Sequence, residues 1–404
     1  MSSATLTVLA IASYEKGHEF LREAKRQGCR VLLLTSESLK DTAQWPREAL
    51  DDIFYMPDVQ KVWNRDDTRK AVSYLAQREA IDRIVPLDDF DLETAAELRE
   101  HLRLPGLGES QTRYFRDKLA MRMQAQKSGL NVPEFIHILN RPKIHAFLHS
   151  TAGPWVLKPR LFAGAIGIHR IHQPDQLWPL LDALGDEQSY FLLERYIPGD
   201  VYHVDSIVFG GTVRFAIASR YGRPPLDVAQ GGGIFTTRIL NHGSEMEQSL
   251  LAKNERVLQA MSLSDGVSHT EFILGADGKL YFLETSARVG GAHIAELIEA
   301  ATGLNLWAEW AKIEVALGRN HSYHGVPLRE EYAGLLVSLA NQEHADTSRF
   351  DDPEIVWRMD RAHHVGFIVR SSRHERVGEL LEQYTDRVQR EFFATAPAPT
   401  RPNQ

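Results

Sequence analysis

The most constraining stretch of the chain runs from His269 to Gly291, where an Asp277-Gly278 dipeptide separates two alternating apolar segments. Asp-Gly flanked in this way is the strongest short-range signal for a β-hairpin with a type I′ turn. A two-residue loop there sets Glu271 directly opposite Glu284, with Cβ atoms about 5 Å apart on one face. A four-residue loop over 275–278 slides the strands by two and still leaves both carboxylates on one face, because side-chain direction alternates with period two. Like charges so placed are destabilising unless a cation lies between them, and hard oxygen ligands suit Mg²⁺ or Mn²⁺, ions that bridge to substrate phosphates. The hairpin therefore reads as a metal and nucleotide platform; the bland alternative is an edge hairpin with two solvated acids.

A chain of 404 residues has room for roughly two or three domains. Its net charge of −8 gives no general attraction for nucleic acid or for an anionic membrane, although a local basic pocket for a nucleotide remains open. Cys29 is the single cysteine, so no intrachain disulfide and no cysteine-rich zinc site can form, and a reducing, cytoplasmic location is expected. No run approaches the ~20 apolar residues of a membrane span. The apolar run 5–13 lacks a basic flank and leads straight into Tyr14-Glu15-Lys16-Gly17, so it reads as a first β-strand. Nothing in the composition opposes a homodimer.

Residues 1 to about 110 alternate strand-like and amphipathic helical runs, at 6–12, 15–27, 30–35, 65–77, 81–87 and 91–102, a βα pattern with a parallel sheet. No G-x-G-x-x-G follows the first strand, so the nucleotide is to be sought further along. One charged helix is expected over 112–128, closed by Gly129 at its C′ position. Short strands, turns and one helix over 131–198 have the size of a small lid-like subdomain. Runs 201–207 and 214–220 and the hairpin read as a mostly antiparallel sheet, with a helix over 245–261 before the chain returns to strand. The segment 291–318 is largely helical with a break near Gly303. The remainder carries strand-like 334–340 and 365–369 and a helix over 376–390, and its last residues, rich in Pro, Ala and Thr, read as disordered.

Two further motifs bear on phosphate. Trp155-Val-Leu-Lys158-Pro159-Arg160 places a lysine at the end of an apolar strand, and a glycine-rich run containing Gly164 and Gly167 follows at once. Glycines let backbone N–H groups close over phosphate, and the lysine adds a point charge. Such a lysine alone is more often a solvated edge residue; the adjacency shifts the balance. Next, Tyr190-Phe-Leu-Leu-Glu194-Arg-Tyr196-Ile197-Pro-Gly199 is a buried strand ending in a carboxylate that could accept the adenine amino group. His203 and Asp205 share a face of the following strand, within reach of a ribose or phosphate, although a core or surface histidine is commoner.

These pieces stand in the order found in ATP-grasp enzymes, and the sequence resembles the carboxylate-amine ligases of that superfamily, including those that join amino acids. Arg116-Asp117-Lys118 is similar to the family's first lysine motif and Val156-Leu-Lys158-Pro159-Arg160 to its second. The segment Glu194 to Ile197 is similar to the adenine-binding hinge, and the strands around Glu271 and Glu284 to the metal-ligand strands. Arg288 matches the arginine that faces the transferred phosphate or the substrate carboxylate, and Gly291 closes the same motif. Val201 and Ser286 depart from the family's usual glutamate and asparagine, with His203 or Asp200 left to take the ribose, and Ala165 stands where serine or threonine is frequent. Arg238 and His293 are candidates for gripping substrate.

The resemblance implies a mixed α/β and α+β chain with an ATP-grasp fold. A pre-ATP-grasp α/β domain is expected over 1–112, a linker helix and lid subdomain over 113–200, and a central, mostly antiparallel sheet domain over 201–322. A C-terminal α+β region over 323–392 and a flexible tail over 393–404 complete it. ATP binding falls to Lys118, Lys158, Gly164, Gly167, Glu194, Tyr196, Ile197 and His203, metal binding to Glu271 and Glu284, catalysis to Arg288 and Lys158, and substrate binding to Arg238, Arg288, Gly291 and His293. The implied cofactors are ATP and Mg²⁺ or Mn²⁺, and the implied partners are a small carboxylate and an amine, amino acids among them. The expected reaction forms an amide or peptide bond through an acyl phosphate, releasing ADP and phosphate. The alternatives are another acceptor, bicarbonate or a thiol, or a nucleotide-binding protein without turnover.

Overall fold

A computed structural model describes residues 5–162, 164 and 166–395. Ala163 and Ala165 of the glycine-rich run, and residues 396–404 of the expected tail, lie outside the described residues. Of that tail, Phe393 makes a bridge with Ala340.

The first layer is α/β. Strands β1 (Thr7–Ala12), β2 (Arg30–Ser36) and β3 (Asp52–Met56) are followed by a short β4–β5 hairpin (Asp58–Val59, Val62–Trp63) and β6 (Arg83–Pro86). The sheet order is β3-β2-β1-β6, all parallel, with β1 and β6 buried throughout, β2 nearly so and the edge strand β3 half-buried. Helices α1 (His18–Arg26) and α2 (Arg65–Leu75) lie in crossovers between its strands, and α3 (Leu92–Leu102) follows β6. The segment expected as one helix over 112–128 is two, α4 (Glu109–Arg116) and α5 (Lys118–Lys127). Asp117 breaks it with an extended ψ of 107°; its side chain accepts from Leu119 N at 3.0 Å to cap α5, and it pairs with Arg160. Aspartate competes for backbone donors and favours a cap over a helix interior, a signal that charge periodicity hides.

A small antiparallel sheet of order β7-β10-β8-β9 follows, from Phe135–His137, Phe191–Arg195, Trp155–Pro159 and His169–Ile171. It is backed by α6 (Arg141–Ser150) and α7 (Leu177–Leu184). Its apolar core, with Ile138, Leu157, Leu177 and Leu193, is separate from the others, as expected of a lid.

The third sheet has eight strands, β15-β14-β11-β12-β13-β16-β18-β17. These are β11 (Gly199–Phe209), β12 (Thr212–Tyr221), β13 (Phe235–Ile239), β14 (Gly266–Gly275), β15 (Leu280–Ser286), β16 (Tyr332–Leu339), β17 (Ile355–Arg358) and β18 (His364–Ser371). Interleaved with them are α8 (Pro225–Gly231), α9 (Glu245–Ala260), α10 (Ile294–Thr302), α11 (Leu306–Gly318) and α12 (His374–Glu391). Strand β13, in a segment for which the sequence suggests no element, hydrogen-bonds to β16, so the strands of 323–392 continue the central sheet. One apolar core joins β1 and β2 to α10 and α11, with Phe20 edge-on to Trp310 at 5.5 Å. A buried Arg83–Glu314 pair at 2.6 Å spans the same junction, so the N-terminal layer forms a fixed wall for whatever lies above β14 and β15.

The hairpin reaches the expected pairing by another route. Its loop spans 276–278, with Gly278 at φ +74° and Gly275 N donating to Lys279 O at 2.9 Å. A three-residue loop by itself would turn the acids to opposite faces. A bulge between Glu271 and Phe272, where Leu283 is the extra residue on β15, restores the register, and Glu271 pairs with Glu284.

Candidate functional site

Glu271 and Glu284 line a cavity of about 430 Å³ between the lid sheet and the central sheet, together with Asp89, Lys118, Lys158, Glu194 and Arg288. Glu271 Oε1 accepts from the Tyr221 hydroxyl at 2.8 Å and lies 3.6 Å from His269 Nε2. Glu284 Oε2 is 2.8 Å from Lys118 Nζ. Burial alone would raise the Glu284 carboxyl, but Lys118 and Lys158 outweigh it and hold the group at about 2. Each acid keeps its other oxygen outside these contacts among the described residues.

The break at Asp117 aims Lys118 into the cavity, where its ammonium also donates to the carbonyl of Phe162, in the lid, at 2.7 Å. Lys158, near the end of β8, donates to Glu194 on β10, its cross-sheet neighbour in the lid. Burial lowers the Lys158 ammonium to about 8 in spite of Glu194. Glu194 also accepts from Arg122 Nε at 2.9 Å, so its carboxylate is held by two cations rather than pointing free towards a base. Burial would raise it, but Arg122 and Lys158 keep it below the ordinary glutamate range. Tyr196 and Ile197 line the cavity beyond it, and Arg170 of β9 covers the Tyr196 ring at 4.7 Å. Gly164 lines the cavity; Gly167 does not, and a Cβ there would meet Pro159 at 3.0 Å in a backbone of φ +69°.

On the opposite wall Arg288 Nε donates to Asp89 Oδ2 at 2.7 Å, and Ser286 donates to the other Asp89 oxygen. Asp89, in the connection from β6 to α3, lies in a Leu-Asp-Asp-Phe-Asp run that carries no recognisable motif, so sequence reasoning missed it. Burial opposes the charge on each partner, yet Arg288 holds Asp89 well below the carboxylate range and Asp89 holds Arg288 above the guanidinium range. Gly291 lines this end of the cavity.

Besides Gly167, three expected residues do not line the cavity. His203 is fully buried, with Nδ1 2.7 Å from Asp205 Oδ2 and Nε2 2.8 Å from the Thr237 hydroxyl, and it does not line the cavity, so the expected ribose contact has no ring nitrogen left for it. The other Asp205 oxygen meets His269 Nδ1 at 2.9 Å. Burial lowers the His269 imidazole, but Asp205 outweighs this and raises it to about 9. His203, Asp205 and His269 lie close enough together to hold a metal ion, but the bonds between them already use those atoms. Arg238 projects from the other face of β13, against Gly378 of α12, because the odd positions 235 and 237 face the cavity side. The His293 ring lies tilted against Trp357 at 4.7 Å and meets Glu296 at 3.3 Å, while Ala292 and Ile294 on either side of it line the cavity.

A lid sheet and a central sheet that close on paired carboxylates and lysines define a nucleotide-binding architecture. Residues 151–296 match the family model for the ATP-grasp domain. The chain is 27% identical over 241 residues to an L-arginine-specific L-amino acid ligase of Bacillus subtilis, covering 58% of each chain. It is 21% identical over 256 residues to alanine–anticapsin ligase of Bacillus subtilis strain 168, covering 57% of this chain and 53% of that one. The chain thus spans less than two thirds of the length of these curated relatives. Among solved structures, an L-amino acid ligase from Bacillus licheniformis superposes with a TM-score of 0.73 at 18% identity, covering 97% of this chain and 99% of that one. Residues 151–296 thus match an ATP-grasp domain, and the chain has the fold of that ligase structure. No helix among the described residues is long and apolar enough to cross a membrane.

Proposed function

We propose that the protein is an ATP-dependent carboxylate-amine ligase that joins its substrates through an acyl phosphate and releases ADP and phosphate. The observation that carries the reading is the convergence of Glu271, Glu284, Lys118, Lys158 and Arg288 on one cavity. The named activities of the curated relatives, an L-amino acid ligase and an alanine–anticapsin ligase, favour amino acids as substrates.

The donor set fits Mg²⁺ or Mn²⁺: two anionic carboxylates on paired strands, each with an oxygen to spare, and hard oxygen ligands throughout. When bound at Glu271 and Glu284, the metal would neutralise the terminal phosphates of ATP. Lys118 and Lys158 offset charge on the phosphoryl oxygens as the bond to ADP breaks. Arg288, fixed by Asp89, stabilises the transferred group without having to reorganise. Gly164 and Ile166, which line the cavity, would exclude water from an intermediate that would otherwise hydrolyse. The substrate carboxylate oxygen bonds to the γ-phosphorus as ADP leaves, and the amine nitrogen then displaces phosphate from the acyl carbon.

Hydroxylamine tests this, since an activated carbonyl accepts any strong nucleophile that reaches it. With ATP, Mg²⁺ and each of the common L-amino acids in turn, a hydroxamate should form together with ADP and phosphate. AMP and pyrophosphate would point instead to adenylation, and ADP with a stable phosphorylated alcohol to a kinase.

A further inference from the structure

Nearly every cation lining the cavity already has a carboxylate. Lys118 holds Glu284, Lys158 holds Glu194, Arg288 holds Asp89, Arg170 holds Asp227 and Arg195 holds Glu134. Arg116, the last residue of α4, is different. It lines the same cavity and is 6% exposed, and its guanidinium makes no hydrogen bond among the described residues. Glu93, its nearest anion, is 3.8 Å from Nε and half-exposed, and the face of Phe90 lies 5.1 Å away. The Arg116 Nε is buried without a hydrogen-bond partner, and the nearby charges of Glu93 and Asp89 do not supply one, so an anionic ligand would offset that desolvation cost.

The position of Arg116 says which anion. The break at Asp117 sends Lys118 to Glu284 and the lid carbonyl of Phe162, the phosphate side. Arg116 goes the other way, onto Phe90 of the N-terminal wall that carries Asp89 and thereby Arg288. We infer that Arg116 binds the carboxylate of the acid substrate, presenting it to the terminal phosphate from the N-terminal wall. This rests on the ligase reading. The planar fork of the guanidinium matches a carboxylate, so one substrate oxygen attacks phosphorus while the other stays on Arg116.

The test uses R116M, which keeps the apolar stem over Phe90, with R116Q to decide should R116M not fold and E93Q as the control for a merely structural ion pair. ADP release is followed with each common L-amino acid and hydroxylamine, and ADP binding by calorimetry. R116M should raise the half-saturating acid concentration about tenfold or more, with ADP affinity unchanged and E93Q like the wild type. Unchanged acid saturation in both Arg116 variants overturns the inference, as does a loss confined to nucleotide affinity or an E93Q enzyme that behaves like R116M. In each of these cases the ligase reading stands. A wild-type enzyme that releases ADP with none of the acids overturns the ligase reading, and this inference with it.

Discussion

The Glu194 cluster on the lid side and the Asp89 cluster on the N-terminal wall each set one buried carboxylate among two cations, yet they distribute the charge differently. In the lid-side cluster Glu194 bonds both Lys158 and Arg122, so the anion is shared. On the N-terminal wall Asp89 is taken up by Arg288 and Ser286, and Arg116 is left without a bond. Arg122 is fully buried and does not line the cavity, whereas Arg288 and Arg116 both face it. The Glu194 cluster thus gives each of its cations a carboxylate partner, whereas the Asp89 cluster leaves Arg116 Nε without a hydrogen bond.

The sharpest break lies between the walls. Glu271→Gln or Glu284→Gln should lower turnover about a thousandfold with the fold kept, because a neutral amide is a poor ligand for Mg²⁺. Their double variant should be no worse than the stronger single one, as for residues acting on one ion; simple multiplication of two small losses in kcat would refute a shared site.

Glu194→Gln should lower unfolding stability by about 3–5 kcal/mol in denaturant titration, since it strands Arg122 away from water. Asp89→Asn tests the other side of the comparison. It should reduce turnover about 100-fold through a misplaced Arg288, with a smaller change in the denaturation midpoint, because water in the cavity can reach the freed guanidinium. Equal stability losses in the two variants would abolish the distinction between the walls.

The smallest effect is a pH dependence. Burial brings the Lys158 ammonium down to about 8, so its charge is present below pH 8 and is lost as pH rises through that value. ATP affinity should fall about tenfold between pH 7.5 and 9.5, and K158R should flatten the profile, because an arginine stays charged over that range. A wild-type profile that is flat to pH 9.5 would mean that Lys158 does not meet phosphate.

Much of the site was legible because its parts are local. Lys158 beside its glycines and the two acids on one hairpin lie within short windows where strand period and turn residues govern geometry. Even there the expected loop was wrong and the pairing right, because the bulge at Leu283 cancels the odd residue of the loop. A bulge leaves no reliable local mark, since its cause is how the strand packs on its neighbours. Arg238 shows the opposite failure. With no strand assigned at β13, no alternation could be applied, and Arg238 was a candidate for gripping substrate although its strand turns it away from the cavity.

Alternation, glycine placement and charge pattern determine what is near in the chain: the parallel α/β layer, the lid strands and the hairpin that carries both acids. Tertiary structure alone decided what is distant. Asp89 holds Arg288 across 199 positions, Glu194 joins Arg122 to Lys158, and Arg116 Nε is left without a hydrogen bond because Glu93, its nearest carboxylate, stops at 3.8 Å. A charged side chain in a sequence carries no record of its partner. Whether burial makes it scaffold or site depends on which carboxylate the packed chain brings within hydrogen-bond range.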